Sequence, residues 1–175
     1  DVIWVRRARQ EHDAFVDLLL GSRKVVFVLG NGCQEAAGLI LRTAMTLNAL
    51  VVTTPDGKGL ISPFHPCYRG VFSFAGHESA ERALRDPEVD LVVTVGNIMS
   101  EWSSNNWDRE ALLTSQLVHV DANESNLTRS PMARSAASFA GLGAGVAAGL
   151  GLGLLNRDRA TALAVASTVG AELSL

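Results

Sequence analysis

Gly30-Asn31-Gly32 follows directly on the apolar run Val25–Leu29 and leads into a stretch of helical periodicity. That combination sets main-chain N–H groups beside the positive end of a helix, which is chemistry that can hold a phosphate. Three other apolar runs stop in a comparable way: Leu50–Thr53 on Thr54, Val89–Val95 on Gly96-Asn97, and Gln116–Val120 on Asp121. Glycine and small polar residues let a ligand approach the backbone closely. Gly30, Asn31, Gly32, Thr54, Gly96, Asn97 and Asp121 are therefore the candidates for a binding site. The same glycines could equally do no more than turn the chain.

Other chemistries find little support. Gly30-x-Gly32 lacks the third glycine of a dinucleotide fingerprint, and no acidic residue ends the second strand to meet a ribose. There is no nucleophile elbow and no HExxH metal motif. Cys33 and Cys67 are the only cysteines, too few and too far apart for a disulfide framework or a CxxC zinc site, and a reducing cytoplasm is the expected compartment. A net charge of -3 gives no reason to expect nucleic acid or an anionic membrane as partner. Cys33 lies near a helix start, which lowers a thiol pKa, but no base stands near it in sequence and it reads as a packing residue. His65 and His77 fall in a long loop, where backbone hydrogen bonding is the commoner fate of an imidazole; His119 sits between apolar neighbours and reads as a satisfied core histidine. Lys58 could face an anion or solvent, and Trp102 and Trp107 read as packing residues.

The elements that must position these residues alternate. Apolar positions over Gln10–Leu20 predict a helix ending near Gly21, and Lys24–Leu29 predicts a buried strand. Ala37, Ile40, Leu41, Ala44 and Leu47 fall on one face of a helix over Gln34–Leu47. Leu50–Thr53 predicts a second strand, closed by the turn Thr54-Pro55-Asp56-Gly57. Lys58–Gly76 reads as a long irregular segment, of the length that is more often functional than idle. A short helix over Glu78–Asp86, a third strand at Val89–Val95, a helical turn over Asp108–Thr114 and a fourth strand at Gln116–Val120 complete the rhythm. Such alternation predicts an α/β fold: a three-layer parallel sheet with helices on both faces, Rossmann-like, with ligands beyond the carboxyl ends of the strands. At 175 residues, 47% of them hydrophobic, the chain can bury one good core.

The ends read differently. Val2–Val5 could be a strand or an extended linker, and no apolar run follows the basic Asp1–Gln10, so no signal peptide is expected. A first residue other than Met is what an excised piece of a longer chain would show. Ala136–Leu155 carries no charge and has glycines at 141, 143, 145, 149, 151 and 153. Its length would just span a bilayer, but six glycines weaken a helix and no aromatic belt flanks it; a packed small-residue helix or loose tail is the better reading than a membrane span. Ala160–Leu173 reads as a terminal helix.

The order of landmarks resembles the central domain of thiamine diphosphate-dependent enzymes, the acetolactate synthase and pyruvate decarboxylase superfamily. Val26–Gly32 is similar to the family's first strand and glycine turn. Val51-Val52-Thr53-Thr54-Pro55-Asp56-Gly57-Lys58-Gly59 resembles its strand ending in Thr-Thr-x-x-Gly-Lys-Gly. His65-Pro66-Cys67-Tyr68-Arg69-Gly70 looks like His-Pro-x-Tyr-x-Gly, and Asp90–Gly96 and Val118-His119-Val120-Asp121 resemble two further strands. Together these cover about residues 10–134.

The resemblance implies a sheet of about six strands related to NAD/FAD-binding domains, with residues 1–9 a linker, 10–135 the central domain, and 136–175 a segment of uncertain packing. It implies a parent enzyme that uses thiamine diphosphate and magnesium, held by pyrimidine-binding and diphosphate-binding domains that this chain lacks. No catalytic or metal-ligating residue is assigned here, and the isolated chain is expected to be inactive. A homo-oligomer in the cytoplasm is the expected setting. Members differ in what the central domain holds: FAD, an adenine nucleotide such as ADP, or nothing. The flavin binders carry Gly-Ala-Arg where this chain has Gly96-Asn97-Ile98, and His-Gly-Thr where it has the half-match Gly76-His77-Glu78-Ser79. Gly76 and His77 join the candidates on that ground. The loss of the arginine removes a charge-assisted contact to a flavin cofactor. The family closes with a strand carrying Gly-Asp, for which Ala136–Leu155 has no match, so a sixth strand is expected to be missing or drawn from an unrelated stretch such as Val2–Val5. A free-standing NAD- or FAD-binding oxidoreductase or a sirtuin-like enzyme is the alternative.

Overall fold

The computed structural model describes residues 14–113, 116–129 and 136–140. A helix, α1, covers residues 14–21. It is followed by β1 (Val25–Leu29), a 3-10 turn (Asn31–Ala36), α2 (Ala37–Leu47), β2 (Leu50–Thr53), β3 (Tyr68–Val71), α3 (Glu78–Leu84), β4 (Leu91–Val95), α4 (Arg109–Leu112), β5 (Gln116–Asp121), α5 (Glu124–Arg129) and β6 (Ala136–Ala140). The strands form one six-stranded sheet in the order β3-β2-β1-β4-β5-β6, and every neighbouring pair is parallel.

The sequence produces three layers by simple alternation. Successive strand side chains point to opposite faces. Val25, Phe27 and Leu29 of β1 pack with Phe15 and Leu19 of α1 and with Ile40 and Ala44 of α2. Val26 and Val28 pack on the other face, with Ala80 and Leu84 of α3 and Ala111 and Leu112 of α4. All five β1 residues are buried, which explains why the run is continuously apolar rather than alternating. Each fully buried side chain of this size contributes roughly 1.5–3 kcal/mol of transfer free energy.

Local chemistry fixes the ends. Asn48 takes a left-handed conformation (φ 53°) after α2 and donates its N–H to Ala44 and Met45 carbonyls, turning the chain into β2. The Asp108 side chain accepts from Ala111 N at 3.0 Å and starts α4. Arg85 at the end of α3 bridges Asp108 (2.6 Å) and Glu110 (2.7 Å), tying the two helices together. At the amino end of the sheet, the Asp90 carboxylate accepts from Arg23 N at 2.9 Å and Lys24 N at 3.0 Å. Those bonds hold its carboxyl below the usual aspartate range, the bond from Arg23 N first among them.

Three expectations change. The segment Lys58–Gly76 contains edge strand β3, and the bond from Phe72 N to Thr53 O at 2.8 Å continues its pairing past Val71. Only four residues long, with Arg69 and Gly70 inside it, this strand carries no apolar alternation to read. The sixth strand is Ala136–Ala140, paired along β5 from Leu117↔Ala136 to Asp121↔Ala140. Its residues have weak strand preference and take their conformation from the partner strand. The helix expected from Gln34 begins instead as a 3-10 turn at Asn31 and becomes α-helical at Ala37. Val2–Val5, residues 141–155 and Ala160–Leu173 lie outside the described residues. Among the described residues no helix is long and apolar enough to cross a membrane.

Candidate functional site

β1 lies between β2 and β4, so the chain reverses its direction of winding there, and the crevice above the β1 and β4 carboxyl ends is where a ligand of an open α/β sheet is expected. In this protein the turns that follow β1 and β4 are hydrogen-bonded to one another. Gly30 N donates to Val95 O at 3.0 Å, Gly32 N to Gly96 O at 3.0 Å, and Cys33 N to Gly30 O at 3.3 Å. Gly96 N donates to Val120 O at 2.9 Å, carrying the contact on to β5. Thr54 N donates to Leu29 O at 2.9 Å, and Gly57 N to Thr54 O at 3.0 Å.

These glycines are required by contact with one another. A Cβ on Gly32 would stand 2.9 Å from Gly96 O, and one on Gly57 would stand 2.5 Å from Leu29 O. A Cβ on Gly30 would collide with Gly96 O. Gly96 has φ +58°, where only glycine is unstrained, and a Cβ there would run into Cys33 N. The two turns are therefore packed backbone against backbone, and the N–H groups that a phosphate would take from Gly30, Gly32 and Cys33 are already engaged.

The polar side chains at the strand ends are engaged too. Asn97 is buried; its Nδ2 donates to Thr94 Oγ1 at 3.0 Å and lies 3.2 Å from Met99 Sδ, while its Oδ1 accepts from Met99 N at 3.0 Å. Its carbonyl accepts from His119 Nε2 at 2.7 Å, which fixes the proton of the neutral imidazole on that nitrogen. His119 is 2% exposed, and burial pushes its pKa down. Thr54 Oγ1 donates toward Asp56 Oδ1 at 2.5 Å, with Leu29 O at 3.3 Å, and Asp121 Oδ1 accepts from Asn123 N at 2.8 Å.

The candidates thus divide. Gly30, Gly32, Gly96 and Asn97 meet at the centre, with Thr54 on one side and Asp121 on the other. Asn31 is exposed on the 3-10 turn. Gly76 and His77 stand apart at the β3 edge: His77 N donates to Val71 O at 2.7 Å, and its Nδ1 accepts from Val71 N at 2.9 Å. Gly57, absent from the sequence candidates, belongs to the central packing; its proximity to Thr54 in the turn was the available signal.

The remaining reactive groups are quiet. Cys33 is 4% exposed, its Sγ reaches Gly30 O at 3.1 Å, and burial pushes its thiol up to about 12. Desolvation therefore outweighs the effect expected from a helix start. Cys67 lies 3.0 Å from His65 Nδ1, and burial raises its pKa as well. Trp107 Nε1 donates to Met99 O at 3.0 Å inside its own loop, whereas Trp102 is exposed and packs edge-on to Phe74 at 4.7 Å. Among the described residues no three His, Cys, Asp or Glu side chains come together as a metal site.

A parallel sheet in Rossmann order, with the turns after β1 and β4 packed on each other, is now matched by comparison with known proteins. Residues 12–144 match the family described as "Thiamine pyrophosphate enzyme, central domain". The chain belongs to this family. This central domain is also 31% identical over 123 residues to the putative acetolactate synthase large subunit IlvB2 of Mycobacterium tuberculosis. The match takes in 67% of the chain and 22% of that protein, so the central domain spans under a quarter of the relative it resembles.

Proposed function

We propose that this central domain is the scaffold of an acetolactate synthase-like, thiamine diphosphate-dependent enzyme, seated between pyrimidine-binding and diphosphate-binding domains and without turnover of its own. The observation that carries this reading is the mutual packing of the Gly30-Gly32 and Gly96 turns, which engages the amides of Gly30, Gly32 and Gly96. FAD and ADP do not fit the strand ends on that ground; Ile98 stands in the place where flavin binders have an arginine, and its neighbour Asn97 turns its side chain inward to Thr94 and Met99. The free-standing NAD- or FAD-binding alternative fails on the same amides.

Thiamine diphosphate supplies carbanion stabilisation in the parent enzyme. The part of this chain is to hold the neighbouring domains in place with a rigid sheet. Magnesium and homo-oligomeric assembly follow from the family resemblance. Two buried, free cysteines support a reducing, cytoplasmic setting. The test is turnover of pyruvate by the isolated chain with thiamine diphosphate and magnesium added. No product above the no-protein control is expected; sustained product formation would overturn the reading.

A further inference from the structure

A cleft of about 490 Å³ opens at the β3 edge of the sheet, away from the closed β1–β4 crevice. Its lining includes Lys58, Arg69 and His77 as polar groups and Ile61, Pro63 and Tyr68 as apolar walls, with no carboxylate among its lining residues. Lys58 makes no ion pair or side-chain hydrogen bond among the described residues. Arg69 makes no ion pair there either; its Nη1 donates to Pro66 O at 2.8 Å and Tyr68 O at 3.0 Å, and Nε and Nη2 have no acceptor among the described residues. Because Val71 N donates to His77 Nδ1, the neutral ring carries its proton on Nε2, which makes no hydrogen bond among the described residues. The ring packs closely on Gly70 (φ +103°), where a Cβ would lie 2.8 Å from it. Tyr68 Oη is engaged with Thr53 Oγ1 at 2.9 Å, so its ring serves as wall rather than donor.

We infer that this cleft binds a small organic phosphate with an apolar body. Two unpaired cations match the charge of a phosphate monoester dianion, and guanidinium and ammonium donors form charge-assisted bonds with its oxygens. The imidazole N–H adds a third, neutral donor. The size suits a small-molecule ligand, and the apolar wall of Ile61, Pro63 and Tyr68 accommodates the non-phosphate part. This site is independent of the scaffold reading, since it uses none of the central strand-end amides.

The test is a titration of this chain with phenyl phosphate, followed by 1H–15N NMR, with inorganic phosphate and phenylacetate as parallel probes. Saturable shifts are expected at the amides of Gly59, Gly70 and His77, with phenyl phosphate binding more tightly than either other probe. Lys58→Glu is expected to weaken binding by about tenfold or more, and Arg69→Gln by a comparable factor, with the rest of the spectrum unchanged. The Lys58 residue is exposed and its side chain bonds to nothing among the described residues, so Lys58→Glu keeps the test clear of misfolding. The inference is overturned by absent or non-saturating shifts, by affinity indifferent to Lys58→Glu, or by phenylacetate binding as tightly as phenyl phosphate. Shifts confined to Gly32 and Gly96 would overturn it too, and would separately count against the scaffold reading.

Discussion

The N–H of Gly32 donates to the carbonyl oxygen of Gly96 at 3.0 Å, and a Cβ on Gly32 would come within 2.9 Å of that same oxygen. One contact thus joins the turn after β1 to the turn after β4. It explains both why glycine stands at position 32 and why the two turns lie against each other. In a nucleotide-binding relative of this sheet order the equivalent amides face a phosphate; here they face the neighbouring turn.

Gly96→Ala should destabilise the domain by about 2–4 kcal/mol, combining left-handed backbone strain with the collision at Cys33 N. Gly38→Ala is the matched control: nothing lies within 4 Å of its Cβ position, and α2 should gain roughly 0.5 kcal/mol. Urea unfolding midpoints of the two variants should move in opposite directions. A Gly96→Ala midpoint equal to wild type would show that the turns are not interlocked.

His119 gives an acid-side signature. Burial lowers its folded pKa below the ordinary 6.5, so the unfolded chain binds its proton first as pH falls. The stability it contributes is full above about pH 6.5 and is lost as pH drops through that value toward the folded pKa. Urea midpoints at pH 7.5 and pH 5 should differ more for wild type than for His119→Gln. Equal differences would remove the buried neutral imidazole from the account.

Cys33 gives the opposite signature on the alkaline side. Its folded thiol stays protonated up to about 12. The unfolded thiol ionises near its ordinary value, so stability declines between about pH 9 and the folded pKa. Native protein at pH 8 should leave Cys33 unlabelled by a thiol reagent over the time in which urea-unfolded protein is fully labelled. Cys33→Ala should flatten the fall in stability from pH 9 to 10.5, and an unchanged slope would contradict the assignment.

Asp90→Ala should cost about 1–2 kcal/mol, because the N–H groups of Arg23 and Lys24 lose their acceptor at the start of β1. Since those bonds hold its carboxyl below the usual range, the wild-type contribution is present above about pH 4 and lost as pH falls through the folded pKa. Acid unfolding followed by circular dichroism should begin at higher pH in Asp90→Ala than in wild type.

The parts of this fold written in strong side-chain patterns were legible. Val25–Leu29 and Leu91–Thr94 are buried continuously, the stripe from Ala37 to Leu47 turns one helical face to the core, and the sequence shows it. β3 and β6 were not legible, because Tyr-Arg-Gly-Val and Ala-Ala-Ser-Phe-Ala take their strand character from a neighbour rather than from their own residues. The glycines at 30, 32 and 96 were legible as close-approach positions. What approaches them was not, since a sequence cannot say whether the partner is a phosphate or another turn. The β3-edge cleft was hidden for a related reason: Lys58 and Arg69 line it from a loop and from a strand, and no local spacing announces it.

The most direct measurement of the scaffold reading is a titration of the purified chain with FAD and, separately, with ADP, followed through the amides of Gly30, Gly32 and Gly96. These three resonances should stay unmoved up to millimolar ligand, and the protein should carry no flavin absorbance as purified. Saturable shifts at Gly32 and Gly96 with either ligand would show that the turns part to admit a nucleotide, and would contradict the claim that the crevice is closed by its own backbone.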